Sequence, residues 1–243
     1  MILLEGGNVF KDDKGKPLTQ RINLADVNPT VKWLEGITGL NLMDNMLGST
    51  GVKATSGDLD LGVDETKVSK EVLIQHLLGK GVQAQDLKKS GDSVHYRAPI
   101  QGDPKKGHVQ VDFMFTDDPK WQKFSMASSR ESSYKGMYRA LLLASIAKAQ
   151  GMKWSYKAGL VDRETNEPVS KDPRVIAQKL IAGEPEDLDS VESIIKKIKD
   201  RPDYDLLVAD ARKAFEHDNL ALPENKVLPG TGEWYRTFIN KVD

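Results

Sequence analysis

Polar and apolar residues alternate in two neighbouring segments of the first half of the chain, residues 93–98 and 108–115. In the second segment four apolar side chains fall on one face, and Asp112 falls on the opposite, mostly polar face. The residues between the segments, 101–107, are rich in Gly, Lys and Pro, a composition that is typical of a loop. The pattern therefore predicts a β-hairpin whose outer face carries Asp112.

Two shorter strand-like pieces precede this hairpin, residues 46–49 and 57–61, and a loop rich in Gly, Thr and Ser joins them. Apolar residues at helical spacing predict a helix that begins at Asn28, with Pro29 in its first turn. They predict a second helix that Ser69 caps. The first half of the chain is thus expected to be a small sheet flanked by helices.

Helical periodicity dominates after Trp121. The sequence predicts a small hairpin and a series of helical segments there: strands within residues 154–160 and 168–169, helices over 132–150, 172–181, 190–199 and 205–217, and an amphipathic tail over 232–242. We therefore expect an α+β fold, with a small mixed or antiparallel sheet and its helices in residues 1–125 and a mainly helical domain in residues 126–243.

Composition narrows the class of protein. Of the 243 residues, 39% are apolar and 29% charged, which suits a packed core. The chain has no cysteine, which excludes disulfides, zinc thiolates and a Cys nucleophile and fits a reducing compartment. No apolar run approaches the roughly 18 residues of a membrane span, and the first ten residues lack a signal-peptide pattern. We expect a cytoplasmic protein that binds no membrane.

Three carboxylates carry the candidate chemistry. Asp58 and Asp60 are two residues apart, so on a strand both side chains leave the same face. If that strand pairs beside the strand of Asp112, the three carboxylates converge, and like charges so close stay ionised together only with a compensating cation. Several hard oxygen ligands suit Mg²⁺. An Asp-x-Asp pair also occurs on solvated strand edges, and the expected site depends on strand register.

A short glycine-containing segment, Gly48 to Gly51, lies upstream of these carboxylates. Glycine permits close approach, so Gly48 and Ser49 could offer backbone N–H groups and a hydroxyl to a phosphate. A Gly-Ser pair alone is most often a turn. The combination is more specific, because the pair, an eight-residue gap, Asp58-Leu59-Asp60-Leu61 and a later apolar-Asp-apolar strand occur in that order.

This ordered pattern resembles the nucleotidyltransferase superfamily typified by DNA polymerase beta. The signature of that family is an apolar residue with Gly-Ser or Gly-Gly, a gap of roughly ten residues, Asp-apolar-Asp or Asp-apolar-Glu, and a third carboxylate on a later strand. Here these elements stand as Leu47-Gly48-Ser49, Asp58-Leu59-Asp60-Leu61 and Val111-Asp112-Phe113. The resemblance covers roughly residues 29–116. The whole chain is also similar to small nucleotidyltransferase-like proteins of bacteriophages, which would act in the host cytoplasm.

The resemblance implies a role for each matching residue. Asp58 and Asp60 would hold two Mg²⁺ ions, with Mn²⁺ as an alternative, and Asp112 would complete the site and help to deprotonate an attacking hydroxyl. Gly48 and Ser49 would grip the phosphates of an NTP such as ATP. The domain over residues 126–243 would support the binding of nucleotide and acceptor.

Further candidates lie outside the signature. Lys135 and Arg139 are four residues apart on the predicted helix over 132–150, and Lys53 lies in the loop after Ser49, so each could bind a triphosphate. The alternative for the helix pair is a solvated basic face. His95 and Arg97 project from the strand next to Asp112, where a lone His is more often structural. Three aromatic residues could stack on a base but are more often core: Tyr134, Tyr138 and Trp154.

The leading interpretation is a Mg²⁺-dependent enzyme that moves a nucleoside monophosphate from an NTP to a hydroxyl. The net charge of −1 argues against wholesale nucleic-acid binding. Local lysine clusters, at 153/157 and 196–199, nevertheless favour RNA, tRNA 3′ ends in particular, over a protein or a small molecule as acceptor. Two other readings stay open: a catalytically silent nucleotide-binding or regulatory module, and a metal-dependent phosphodiesterase or nuclease.

Overall fold

The computed structural model describes residues 8–223. The predicted tail over 232–242 and most of the first ten residues lie outside this range. The described chain forms two compact units, the first ending at Lys123 and the second beginning at Phe124, two residues before the boundary expected at 125. The expected α+β class is confirmed, because helices combine with three small sheets, one of them mixed.

The first elements, of which the last crosses the division between the units, follow in this order: β1 (Ile22–Asn23), α1 (Leu24–Thr38), β2 (Thr55–Ser56), β3 (Asp58–Asp64), α2 (Lys70–Gly79), β4 (Leu87–Ser90), β5 (Ser93–Pro99), β6 (His108–Thr116) and α3 (Pro119–Ser125). The main sheet has the order β3-β6-β5-β4, in which β3 runs parallel to β6 and the other pairs are antiparallel. The predicted hairpin of β5 and β6 is confirmed.

The alternation in β6 fixes the two faces of this sheet. The apolar face of β6 is buried in a core with α1 and α2, and its members are 0–4% exposed: Val109, Val111, Phe113 and Phe115. The opposite face carries the polar residues of β3, β5 and β6. Because side chains alternate along a strand, this burial leaves Asp112 on the polar face, as the pattern predicts.

Two expectations for the first unit are wrong. Helix α1 begins at Leu24, before the predicted start at Asn28, because the buried Val27 extends the apolar face of Val31 and Leu34 by one turn. Pro29 therefore lies inside the helix. Residues 46–49 do not form a strand: Met46 makes an isolated bridge to Leu61, Gly48 is also an isolated bridge residue, and a turn begins at Ser49. The predicted cap of α2 is confirmed, because the Ser69 hydroxyl accepts a hydrogen bond from the Val72 N–H.

The second unit contains the remaining elements: α4 (Gly136–Ala149), β7 (Met152–Ser155), β8 (Gly159–Asp162), β9 (Pro168–Ser170), α5 (Pro173–Ile181), α6 (Val191–Ile198) and α7 (Tyr204–His217). The three strands form an antiparallel sheet in sequence order. Tyr134 and Tyr138 pack with Phe215 in the core, with ring centroids 5.4 and 4.9 Å from that of Phe215. Among the described residues no helix has both the length and the apolar character to cross a membrane.

Helix α4 begins at Gly136, four residues after the predicted start at Ser132. The reason is a buried carboxylate far along the chain. Glu192 accepts hydrogen bonds from the Ser132 hydroxyl and from the Ser133 N–H, both at 2.8 Å, which holds this segment outside the helix. Lys135 is therefore the N-cap of α4, so the expectation that Lys135 and Arg139 share a helix face is wrong.

Candidate metal centre

The parallel pairing of β3 with β6 assembles the candidate centre. Asp60 stands opposite Asp112 and Asp58 stands opposite Gln110, so residues just over fifty positions apart in sequence become cross-strand neighbours. One carboxylate oxygen from each of Asp58, Asp60 and Asp112 lies within 4.8 Å of the others. The structure thus brings together the three carboxylates singled out from the sequence.

The three carboxylates of this cluster repel one another when they are ionised. Asp112 is buried, and Asp58 and Asp60 are half-buried. Burial raises the pKa of Asp60 well above its usual value, and the negative charges of Asp58 and Asp112 raise it further. A divalent cation bound among these oxygens would offset that repulsion. The cluster therefore has the electrostatic character that a cation site requires.

The donor set fits Mg²⁺ or Mn²⁺. All three groups are carboxylates, which are hard oxygen donors. Opposite ligands of one Mg²⁺ lie about 4.2 Å apart, since each metal–oxygen bond is about 2.1 Å. The three oxygens all lie within 4.8 Å of one another, a limit slightly wider than that separation. The three carboxylates are therefore close enough to contribute to one cation site.

The Gly48 turn lies directly against the Asp60 carboxylate. Gly48 has φ +57°, and a Cβ at this position would stand 3.0 Å from Asp60 Oδ2. Both the backbone conformation and the close approach therefore favour glycine. The turn is tied to β3 by two hydrogen bonds: the Leu47 N–H donates to the Asp60 carbonyl, and the Asp60 N–H donates to the Thr50 hydroxyl, both at 2.9 Å.

Ser49 and Lys53 lie in the same loop. The Ser49 carbonyl accepts hydrogen bonds from the N–H groups of Val52 and Lys53, and the Ser49 hydroxyl lies 3.4 Å from that of Ser56. The structure thus places Gly48 against the Asp60 carboxylate, with Ser49 next to it in sequence and Lys53 in the turn that follows. Thr50, which is 2% exposed and holds the Asp60 backbone, was not singled out from the sequence. Its hydroxyl in a Gly-Ser-Thr-Gly loop is the only local signal.

Two polar residues contact the buried Asp112. His95 Nδ1 lies 2.7 Å from Asp112 Oδ1, and Gln110 Nε2 donates to the same oxygen at 3.0 Å. The placement of His95 on the face of Asp112 agrees with the sequence pattern. Arg97 instead pairs with Asp86, at 2.6 Å between Nε and Oδ1. Gln110 was not singled out, although its position two residues before Asp112 places both side chains on one face.

Lys135 and Arg139 lie in the second unit. Lys135 is exposed, whereas Arg139 is 2% exposed, so the solvated basic face considered for this pair is absent at Arg139. The Arg139 guanidinium donates to the carbonyls of Leu188, at 2.5 Å, and Phe124, at 3.1 Å, and stacks 5.0 Å from the Phe124 ring centroid. Burial lowers the pKa of Arg139 to about 10. Arg139 is therefore engaged with the main chain of its own unit.

A scan against protein-family models found no match to this chain, and a search of curated proteins found none either. A function for the chain is therefore argued from its own residues and their geometry.

Proposed function

We propose that the chain is a Mg²⁺-dependent nucleotidyltransferase, which moves a nucleoside monophosphate from an NTP to a hydroxyl acceptor and releases pyrophosphate. The observation that carries the proposal is the convergence of Asp58, Asp60 and Asp112 beside the Gly48 turn. A carboxylate cluster alone would suit many metal sites. A glycine turn against the same carboxylates adds a place where a phosphate could approach the backbone.

The chemistry assigns a task to each part of the site. Asp58, Asp60 and Asp112 would hold the divalent ions, which when bound neutralise phosphate charge and lower the pKa of the acceptor hydroxyl. Gly48 would leave the backbone open to the phosphates, and Ser49 would donate its hydroxyl to them. A bond forms between the acceptor oxygen and the α-phosphorus of the NTP. At the same time the bond breaks between the α-phosphorus and the oxygen that bridges it to the β-phosphorus. Pyrophosphate takes that electron pair, and the acceptor proton leaves toward Asp112 or solvent.

Among the three acceptor classes we favour RNA, tRNA 3′ ends in particular, over protein and small-molecule hydroxyls. The support is the presence of lysine clusters in the second unit. Within one cluster Lys197 pairs with Asp187 at 3.6 Å and Lys199 with Asp200 at 3.0 Å, so binding of RNA phosphates there would compete with these ion pairs. The acceptor is therefore the part of the proposal that the experiment must identify.

The test incubates the pure protein with each α-phosphate-labelled NTP, Mg²⁺ and total RNA. The double variant Asp58→Asn/Asp60→Asn serves as the negative control. Asp64→Asn is the matched control, because Asp64 ends the same strand and accepts a hydrogen bond from the Thr66 hydroxyl at 2.6 Å, away from the cluster. We expect label in RNA with the wild type and with Asp64→Asn, and none with the double variant.

Other outcomes separate the readings. Label on the protein or on a small molecule would keep the transfer chemistry and discard RNA as the acceptor. Binding of Mg·NTP without any transfer of label would contradict the enzyme and favour a nucleotide-binding module. Shortening of the RNA without incorporation of label would favour the nuclease.

The Ser49→Ala variant distinguishes a transferase from a nuclease. A hydrogen bond to a charged phosphate contributes about 1.5–3 kcal/mol, so we expect Mg·ATP affinity to fall about 10-fold or more on removing the Ser49 hydroxyl. The matched control is Ser69→Ala, which removes a hydroxyl that caps α2. Calorimetric titration with Mg·ATP measures the effect. An unchanged affinity in Ser49→Ala would contradict the assigned role of Ser49.

A further inference from the structure

The carboxylate of Asp112 is contacted unequally at its two oxygens. Oδ1 lies 2.7 Å from His95 Nδ1 and accepts from Gln110 Nε2 at 3.0 Å. Oδ2 accepts from the same Gln110 nitrogen at 3.2 Å. His95 stands directly opposite Asp112 in β5, and Gln110 precedes it by two residues on the same face of β6. Both contacts to Asp112 thus come from rigid strands of the sheet.

The backbone of Val9 fixes the orientation of this network. The Val9 N–H donates to Gln110 Oε1 at 2.9 Å, so the Nε2 end of the amide faces Asp112. The Val9 carbonyl in turn accepts from Lys88 Nζ at 2.5 Å. A metal-binding carboxylate accepts hydrogen bonds, so in the proposed site His95 is assigned as the donor, from Nδ1. His95, Gln110 and Asp112 are 6%, 4% and 8% exposed, which keeps water from replacing these contacts.

A carboxylate held in this way has a defined direction. The terminal torsion of an Asp side chain is broad, so an unsupported carboxylate rotates freely between orientations. Two donors on Oδ1 occupy that oxygen, and the less engaged Oδ2 remains for a cation. Hydrogen bonds of this kind to metal-binding groups commonly set metal affinity, and their removal costs about 10- to 100-fold.

We propose that His95 and Gln110 are positioning residues that hold Asp112 so that Oδ2 is the oxygen offered to the divalent ion. This inference rests on the proposed function, because it takes Asp112 as a metal-binding group. Neither residue is required to touch the substrate. Their effect is to set the direction of one carboxylate before the ion binds, so that binding does not have to order it.

The experiment measures Mn²⁺ binding to the full chain in the absence of nucleotide, from the free Mn²⁺ signal in electron paramagnetic resonance. His95→Phe keeps a buried ring and removes the donor, whereas His95→Asn keeps an N–H close to the position of Nδ1. His76→Phe is the matched control, since His76 lies in the same unit and its ring contacts a backbone carbonyl, that of Ile37 at 2.8 Å, rather than a carboxylate. Melting temperatures are measured for every variant.

We expect the Mn²⁺ affinity of His95→Phe to fall about 10- to 100-fold, that of His95→Asn to recover most of the loss, and that of His76→Phe to match the wild type. Rescue by Asn separates positioning from a general structural role. If His95 only filled space, the smaller Asn side chain would not restore Mn²⁺ affinity. If His95→Phe does not fold, Gln110→Met provides the second measurement, because it removes the other donor with similar side-chain volume.

Three results would overturn the inference. Mn²⁺ affinity equal to the wild type in folded His95→Phe and Gln110→Met would exclude positioning while leaving the proposed function intact. Equal weakening in His95→Phe and His95→Asn would show that an N–H at the Nδ1 position is not what matters. Absence of Mn²⁺ binding in the wild type would count against the proposed function itself, and the positioning inference would fall with it.

Discussion

The Asp60→Asn variant is expected to lose about 10³-fold in Mg²⁺-dependent nucleotidyl transfer, while its metal-free form melts at a higher temperature than the wild type. The two effects have one cause. Burial and the charges of Asp58 and Asp112 raise the pKa of Asp60, so its ionised form is unfavourable in the folded, metal-free protein. Asparagine keeps the shape and removes the charge, which relieves the repulsion and also removes the ligand.

Differential scanning calorimetry with and without Mg²⁺, together with the labelled-NTP assay, measures both effects. Asp64→Asn is an informative control, because hydrogen bonds from Thr66 and the charge of Lys67 lower the pKa of Asp64. Neutralising Asp64 should therefore lower the melting temperature slightly and leave transfer unchanged. A lower melting temperature for metal-free Asp60→Asn would contradict the electrostatic description, and retained transfer would contradict the assignment of Asp60.

The Arg139→Met variant is expected to destabilise the second unit by about 2–4 kcal/mol. Methionine fills part of the volume but cannot donate, so the carbonyls of Leu188 and Phe124 lose a partner in the interior. The stacking on the Phe124 ring is also lost. The gain from no longer burying a charge offsets only part of this cost.

Urea unfolding followed by circular dichroism measures this change. Lys135→Met is the matched control, because Lys135 is exposed and lies four residues before Arg139, at the N-cap of the same helix. We expect this variant to change the free energy of unfolding by less than about 0.5 kcal/mol. A stable Arg139→Met protein that has lost NTP binding would instead favour the triphosphate role considered from the sequence. The prediction that Lys135 binds nucleotide is tested by the same pair of variants.

The sequence predicts which face of the sheet a residue occupies better than it predicts which strands pair with each other. The alternation in residues 108–115 predicts that Asp112 lies on the other face of β6 from Val111 and Phe113, because the apolar face of this strand is buried. The same pattern does not state that β3 joins β6 in parallel with Asp60 opposite Asp112. That pairing depends on the path of the connection from β3 to β6, which contains α2, β4 and β5. The candidate site was therefore predictable as a set of residues, and its geometry was conditional on sheet order.

The errors in helix boundaries have a common physical origin. Local signals predict one helix start at Asn28 and another at Ser132, whereas the burial of Val27 and the carboxylate of Glu192 move both. Glu192 lies 60 residues from Ser132, so no local pattern announces their contact. The burial of Arg139 is a related case, because four-residue spacing on a helix does not state which side meets the core.

The attachment of the Gly48 turn to β3 gives the candidate site an internal reporter. In a strand, the N–H and C=O of one residue point to the same side, and those of Asp60 are both taken by the turn, through Thr50 and Leu47. Isotope exchange at the Asp60 amide therefore follows the opening of this turn rather than the melting of the sheet. A single backbone hydrogen thus registers the motion of a candidate phosphate-binding turn from within a residue that bears a candidate metal ligand.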